Sequence, residues 1–184
     1  IVLKPWPGRR AWNWSGFKIM EALSPRVRCF EPVIDKESRV LILGSMPSIK
    51  SLEAHFYYAH PRNAFWPILA SLFGVPLPQS VQEKIALALR NRVALWDVLR
   101  ACDRKGSGDA AIRRVEINDF QALFEAYPAI HTVFLNGKTA HRLFVNNCLK
   151  AAGARRIEVL PSTSPAHAVS FEKKLAAWKT VKDA

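Results

Sequence analysis

The chain has 184 residues, 49% hydrophobic and 23% charged, enough for one globular domain with a real core. No run approaches the roughly 18 apolar residues of a membrane span. Three scattered cysteines without a CxxC pair argue against a zinc site, an iron–sulfur cluster or a disulfide framework, and the net charge of +12 points to a polyanionic partner, most often nucleic acid.

The chain opens with IVLKPWPGRRAWNWSGF, which has no apolar core of a secretory signal and no initiator Met, so its true start reads as missing. Residues 1–28 carry six Lys/Arg against one Glu and read as a basic, Trp-containing extension ahead of a domain over 29–184. Trp6, Trp12 and Trp14 would stack on nucleic acid or pack back on that domain. Arg39 to Gly44 then predicts a buried strand that ends in a small-residue turn, GSMPS. Asn63 to Phe73 predicts a helix closed by Gly74. Ser80-Val81-Gln82-Glu83 opens a second helix, through Arg90, with capping-box spacing. Arg92 to Leu99 predicts another apolar strand, and CDRKGSGD, residues 102–109, is the most loop-like segment. Asn118 to Tyr127 predicts a short helix, His131 to Leu135 a third strand stopped by Asn136-Gly137, and Lys138 to Lys150 a helix. Arg156 to Leu160 predicts a fourth strand, broken by PSTSP, and Phe171 to Lys182 a last helix. Residues 138–184 carry nine Lys/Arg against three acids, whereas 29–137 is nearly balanced.

Apolar strands separated by helices predict an α/β fold with a central, mainly parallel four-stranded sheet and helices on both faces. Such sheets bind ligands beyond the carboxyl ends of their strands, here Gly44–Ser48, Asn136-Gly137 and Ser162–Pro165. Several chemistries are disfavoured. Gly137-Lys138-Thr139 lacks the upstream glycine of a P-loop, and there is no GxGxxG, HExxH or GxSxG. Asp97 is the main strand-end acid, too few for a two-metal nuclease, and neither metal nor cofactor is expected. What remains is uncharged: Asn63, Asn136, Ser162, Thr163 and Ser164. Such groups suit a neutral heterocycle and a held water, with Tyr57 or Tyr58 to stack on a flat ring.

YYAHPRNAFW, residues 57–66, resembles the HPxNxFW signature of mismatch-specific uracil-DNA glycosylases. GSMPS, the YYAHPRNAFW run, LNG and STSPA in that order resemble the hypoxanthine-DNA (deoxyinosine) glycosylase branch of the uracil-DNA glycosylase superfamily, over residues 37–182. The resemblance implies a three-layer α/β/α sandwich and a monofunctional, metal-independent enzyme. Such an enzyme flips out deaminated bases of double-stranded DNA, chiefly hypoxanthine, and hydrolyses them off in base excision repair. It would work as an intracellular monomer, in cytoplasm, nucleoid or nucleus. The alternatives are a glycosylase for uracil or another damaged base, and a non-catalytic DNA-binding module. Where uracil-specific relatives carry a catalytic Asn or Asp in the first motif, this chain has Met46, which implies that the role falls to Asn63. Ser162 stands in the place of the second-motif His or Asn.

Asn63 would hold the attacking water or the leaving base, or would simply cap the helix that follows. Asn136 would contact the lactam edge of the base, or form an Asn-Gly turn. Tyr58 aligns with the stacking aromatic, although Tyr57 could exchange roles with it. Ser45 lines the pocket through its backbone, and Met46 is an apolar wall. The STSPAHA loop implies DNA contacts from Ser162 and Ser164, with His167 or Val169 as a wedge. Lys138, Arg142, Lys173 and Lys174 are candidate phosphate contacts, or else solvated helix faces.

Overall fold

Five consecutive buried residues, Val40–Gly44 (β2), form the centre of a parallel sheet in the computed structural model, which describes residues 26–184. The sheet runs β3-β2-β6-β7, with β3 Val93–Asp97, β6 Thr132–Asn136 and β7 Arg156–Leu160. Every neighbouring pair in it is parallel. Side chains alternate across a strand, so the buried strands feed two cores. Val40, Ile42, Val93, Leu95 and Phe134 face α2 (Phe65–Phe73), α3 (Val81–Arg90) and α6 (Phe171–Trp178). Leu41, Leu43, Ala94, Val133 and Leu135 face α4 (Phe120–Ala126) and α5 (Lys138–Ala152). This is the expected three-layer α/β/α arrangement.

Local chemistry sets the helix ends. Ser80 and Glu83 form a reciprocal capping box at the start of α3, and Gly74 closes α2 in the left-handed region at φ +64°. A five-residue helix, α1 (Ile49–Glu53), follows the GSMP turn and is capped by Ser48.

The expected strand Arg92–Leu99 is divided. β3 stops at Asp97, and the chain swings into β4 (Leu99–Asp103), which pairs antiparallel with β1 (Arg26–Arg28) and β5 (Arg113–Ile117) in a second, three-stranded sheet. The apolar character of Val93–Cys102, broken only by Asp97 and Arg100, hid this change of direction from the sequence. The last residues of the expected basic extension, Arg26–Arg28, are therefore paired into the fold. Residues 1–25, with Trp6, Trp12 and Trp14, lie outside the described residues. Among the described residues no helix is long and apolar enough to cross a membrane.

Register brings three strand ends to one level. Gly44 pairs with Asp97, and Leu43 with Leu135, so Gly44, Asp97 and Asn136 end side by side at the carboxyl edge of β2, β3 and β6.

Candidate functional site

The GSMPS turn above β2 is braced from the loop that follows β4. Ser45 Oγ donates to Asp109 Oδ1 at 2.9 Å, the Ile49 N–H donates to Ser107 Oγ at 2.9 Å, and the buried Arg104 guanidinium donates to the Pro47 carbonyl. CDRKGSGD is thus less a free loop than a clamp: Cys102 and Asp103 belong to β4, and the rest grips the first motif. Met46, expected as a pocket wall, is 7% exposed and packs with Leu99 and Cys102 in a small core beneath the second sheet. The sequence reading missed that role because it missed the second sheet.

The HPRN segment folds into a tight turn. The His60 carbonyl accepts the Asn63 N–H at 2.8 Å, and His60 Nδ1 accepts the Arg62 N–H at 3.1 Å. Asn63 Oδ1 accepts the Phe65 N–H at 3.0 Å, covering one of the orphan donors at the start of α2. The capping reading of Asn63 therefore describes a real bond, and that bond also fixes the amide at the rim of a cleft of about 440 Å³. Arg62, Asn63 and Pro67 line the cleft together with His167, Phe171 and Lys174.

Thr163, 1% exposed, ties the three motifs together. Its carbonyl accepts the Ala64 N–H at 3.0 Å, its N–H donates to Asn136 Oδ1 at 2.9 Å, and its hydroxyl accepts from Asn136 Nδ2 at 2.9 Å. Asn136, expected at the base, thus has both ends of its amide engaged by Thr163. It holds the second motif against the first.

The two tyrosines separate in function. Tyr57 is buried and donates to the Glu31 carbonyl at 3.0 Å, a core role. Tyr58 adopts φ +53°, uncommon away from glycine, and stacks one ring face on Phe65 at a centroid distance of 3.9 Å. Its buried hydroxyl has no hydrogen-bond partner, and neither does Asp97 Oδ2. Burial pushes the Asp97 carboxyl up to about 7, with Arg104 opposing. Burial, then the nearby Asp97, holds the Tyr58 phenol well above its ordinary value, with Asn136 opposing.

The profile of the uracil DNA glycosylase superfamily matches residues 31–182. This chain belongs to that superfamily. Two curated relatives, both named hypoxanthine DNA glycosylase, are similar to it. One, from Methanosarcina barkeri, is 38% identical over 81% of this chain and 93% of its own length. The other, from Methanosarcina acetivorans, is 36% identical over 84% of this chain and 96% of its own length. A solution NMR structure from Methanosarcina acetivorans, provisionally named a uracil DNA glycosylase, superposes with a TM-score of 0.73 at 32% identity, covering 86% of this chain and 99% of the other.

The remaining expected residues of this superfamily member fall into two groups. Lys138 and Arg142 are exposed on the first two turns of α5, Lys173 is exposed on α6, and His167 is exposed in the second-motif loop. Ser162 Oγ accepts the Ser164 N–H at 3.2 Å and Ser164 Oγ accepts the Ala166 N–H at 3.2 Å, so both hydroxyls shape that loop. Lys174 departs from expectation. It is 4% exposed, burial lowers its pKa, and Nζ donates to the Ser164 carbonyl at 3.2 Å. It buttresses the loop from below instead of meeting phosphate on the surface. Among the described residues no three His, Cys, Asp or Glu side chains gather where they would hold a metal ion. Sequence reasoning also missed Arg104 and the joining role of Thr163, since both act through contacts distant in the chain.

Proposed function

We propose that this chain is a DNA N-glycosylase that extrudes deaminated bases, chiefly hypoxanthine, from double-stranded DNA and hydrolyses the N-glycosidic bond. The observation that carries the reading is the Thr163 junction, which sets Asn63 of the first motif against the second-motif loop. In this reading an extruded nucleotide meets Asn63 at its sugar and Tyr58 at its base. The sugar gains positive charge as the base leaves with the electron pair of the N-glycosidic bond. Asn63 Oδ1 keeps a lone pair beyond the one given to Phe65, enough to orient water toward a cationic carbon without strong basicity. No amine need attack the sugar, so a hydrolytic, monofunctional course suffices. Lys138, Arg142 and Lys173 provide exposed charge for flanking phosphates, and the exposed His167 is the candidate side chain to replace the extruded base.

A second reading, uracil as the main substrate, is favoured by the superfamily to which the chain belongs and by the name of the NMR relative. End-labelled duplexes with a single deoxyinosine, a single deoxyuridine or no lesion separate the two when incubated in EDTA and then treated with alkali. Strand cleavage at deoxyinosine only after alkali is the expected result. Cleavage confined to deoxyuridine supports the second reading. Tight binding without any cleavage leaves a DNA-binding module.

A further inference from the structure

We propose that Asp97 and Tyr58 form a pair of O–H donors for the carbonyl oxygen of the departing base, and that this pair makes deamination legible to the enzyme. The inference rests on the glycosylase reading above. A point one carbon–carbon bond from Gly44 Cα, where a side chain would begin, lies 2.5 Å from Asp97 Oδ1 and 3.2 Å from Tyr58 Oη. A carbon could not stand that close to Asp97 Oδ1, so only glycine lets both oxygens close on the same bare stretch of backbone. The pair lies at the carboxyl edge of the two adjacent strands β2 and β3, where sheets of this kind bind ligands.

Both groups are short of partners. Asp97 is 3% exposed with an unbonded carboxyl oxygen, and the Tyr58 hydroxyl is buried and unbonded. The unbonded carboxyl atom is Oδ2, while Oδ1 is the one beside Gly44; buried polar atoms without hydrogen bonds are rare, and each calls for an explanation. An acceptor supplied by substrate provides one. Asn136, the rival base reader, gives one N–H and one oxygen lone pair to Thr163, and its amide also lies near the Tyr58 hydroxyl.

The chemistry follows from which groups carry protons. Burial keeps Tyr58 protonated, and it holds Asp97 neutral over the acidic half of the physiological range. Arg104 is the cation that pulls Asp97 the other way, and Tyr57, Tyr58 and Cys29 are the other titratable groups that sense its charge. As the glycosidic bond breaks, negative charge spreads onto the carbonyl oxygen of hypoxanthine. Two preorganised O–H donors in a water-poor site stabilise that oxygen. A tyrosine beside a neutral aspartic acid is an arrangement known to serve oxyanions. Adenine presents an amine at the same place, and an amine facing two donors is repelled. The ionised carboxylate would likewise repel the departing anion, so the device works only while Asp97 is protonated.

The test measures single-turnover excision of hypoxanthine from duplex DNA between pH 5.5 and 8, below ionisation of the base, for wild type, Asp97→Asn and Tyr58→Phe. Binding of free hypoxanthine at pH 6 and 8 is followed by calorimetry, and melting confirms that each variant is folded. Wild-type excision should fall about tenfold per unit once pH exceeds about 7. Asp97→Asn, which keeps a donor that cannot ionise, should stay active with a flat profile. Tyr58→Phe should lose on the order of 100-fold, and wild type should bind free hypoxanthine more weakly at pH 8. A wild-type profile that stays flat through pH 7, or one that Asp97→Asn leaves unchanged, overturns the inference while the glycosylase reading stands. If Asp97→Asn does not fold, the wild-type profile and the binding measurement decide alone. Failure of wild type to cut any deaminated duplex overturns the functional reading, and this inference with it.

Discussion

Asp97 weakens the fold in order to stand where it does. Its carboxyl is raised from an ordinary 3.8 to about 7, so between those values the native protein holds a proton that the unfolded chain has released. Stability from this group is complete below about pH 4, falls by about 1.4 kcal/mol per pH unit as pH rises, and is gone above about pH 7. Asp97→Asn should therefore melt close to wild type at pH 4 and several degrees higher at pH 8, as thermal unfolding at both pH values would show. A difference of the opposite sign would mean that Arg104 outweighs burial. Asn63 obeys a different logic, because its amide already bonds to Phe65. Asn63→Ala should lower single-turnover excision roughly tenfold or more and cost about 1 kcal/mol through loss of the cap. It should leave DNA affinity intact in a gel-shift titration; near-wild-type excision would remove Asn63 from the chemistry.

Among the elements, the loop before α5 shows how tightly the motifs depend on one another. Gly137 holds φ +97°, and a Cβ there would meet Ser162 Cβ at 2.9 Å. Gly137→Ala thus forces an unfavourable backbone angle and drives β6 away from the second motif. The expected cost is about 2 kcal/mol or more, read as a melting temperature lower by several degrees together with slower excision. The clamp on the first motif makes the same point without glycine. Arg104, Ser107 and Asp109 follow β4, yet they bond to Pro47, Ile49 and Ser45 more than 50 residues away. A segment rich in Gly and Ser reads as loose from its composition. Here it is ordered by what it grips.

Over the whole molecule, charge and site lie on related elements. α5 begins immediately beyond the strand end that carries Asn136, and its first two turns expose Lys138 and Arg142. α6 exposes Lys173 while Lys174 turns inward to Ser164. Affinity for an undamaged duplex should fall linearly with the logarithm of salt concentration. Replacing Lys138 and Arg142 together with Ala should flatten that slope by roughly 1 to 2 and leave the melting temperature within about a degree. Fluorescence anisotropy across a salt series would measure it, and an unchanged slope would place DNA on another face.

Much of this was legible along the chain, because burial patterns are local. Val40–Gly44 is apolar at every position since both of its faces are covered, and capping at Ser80 and Glu83 needs only neighbours. The motif residues could be named because HPRN and STSPA are dense in polar groups beside apolar runs. What they do to one another could not be read there. Hydrogen-bond partners such as Asn136 and Thr163 are chosen in three dimensions, and β4 looked like a continuation of β3 because burial in a second sheet leaves the same apolar signature as burial in the first. Lys173 and Lys174 are identical in sequence, and only α6 packing exposes one and buries the other. Asp97 was visible as an acid at a strand end. That it stands buried, its Oδ1 and the Tyr58 hydroxyl both packed against the bare Cα of Gly44, was decided by the register of β2 and β3, which places distant residues at one level of the sheet.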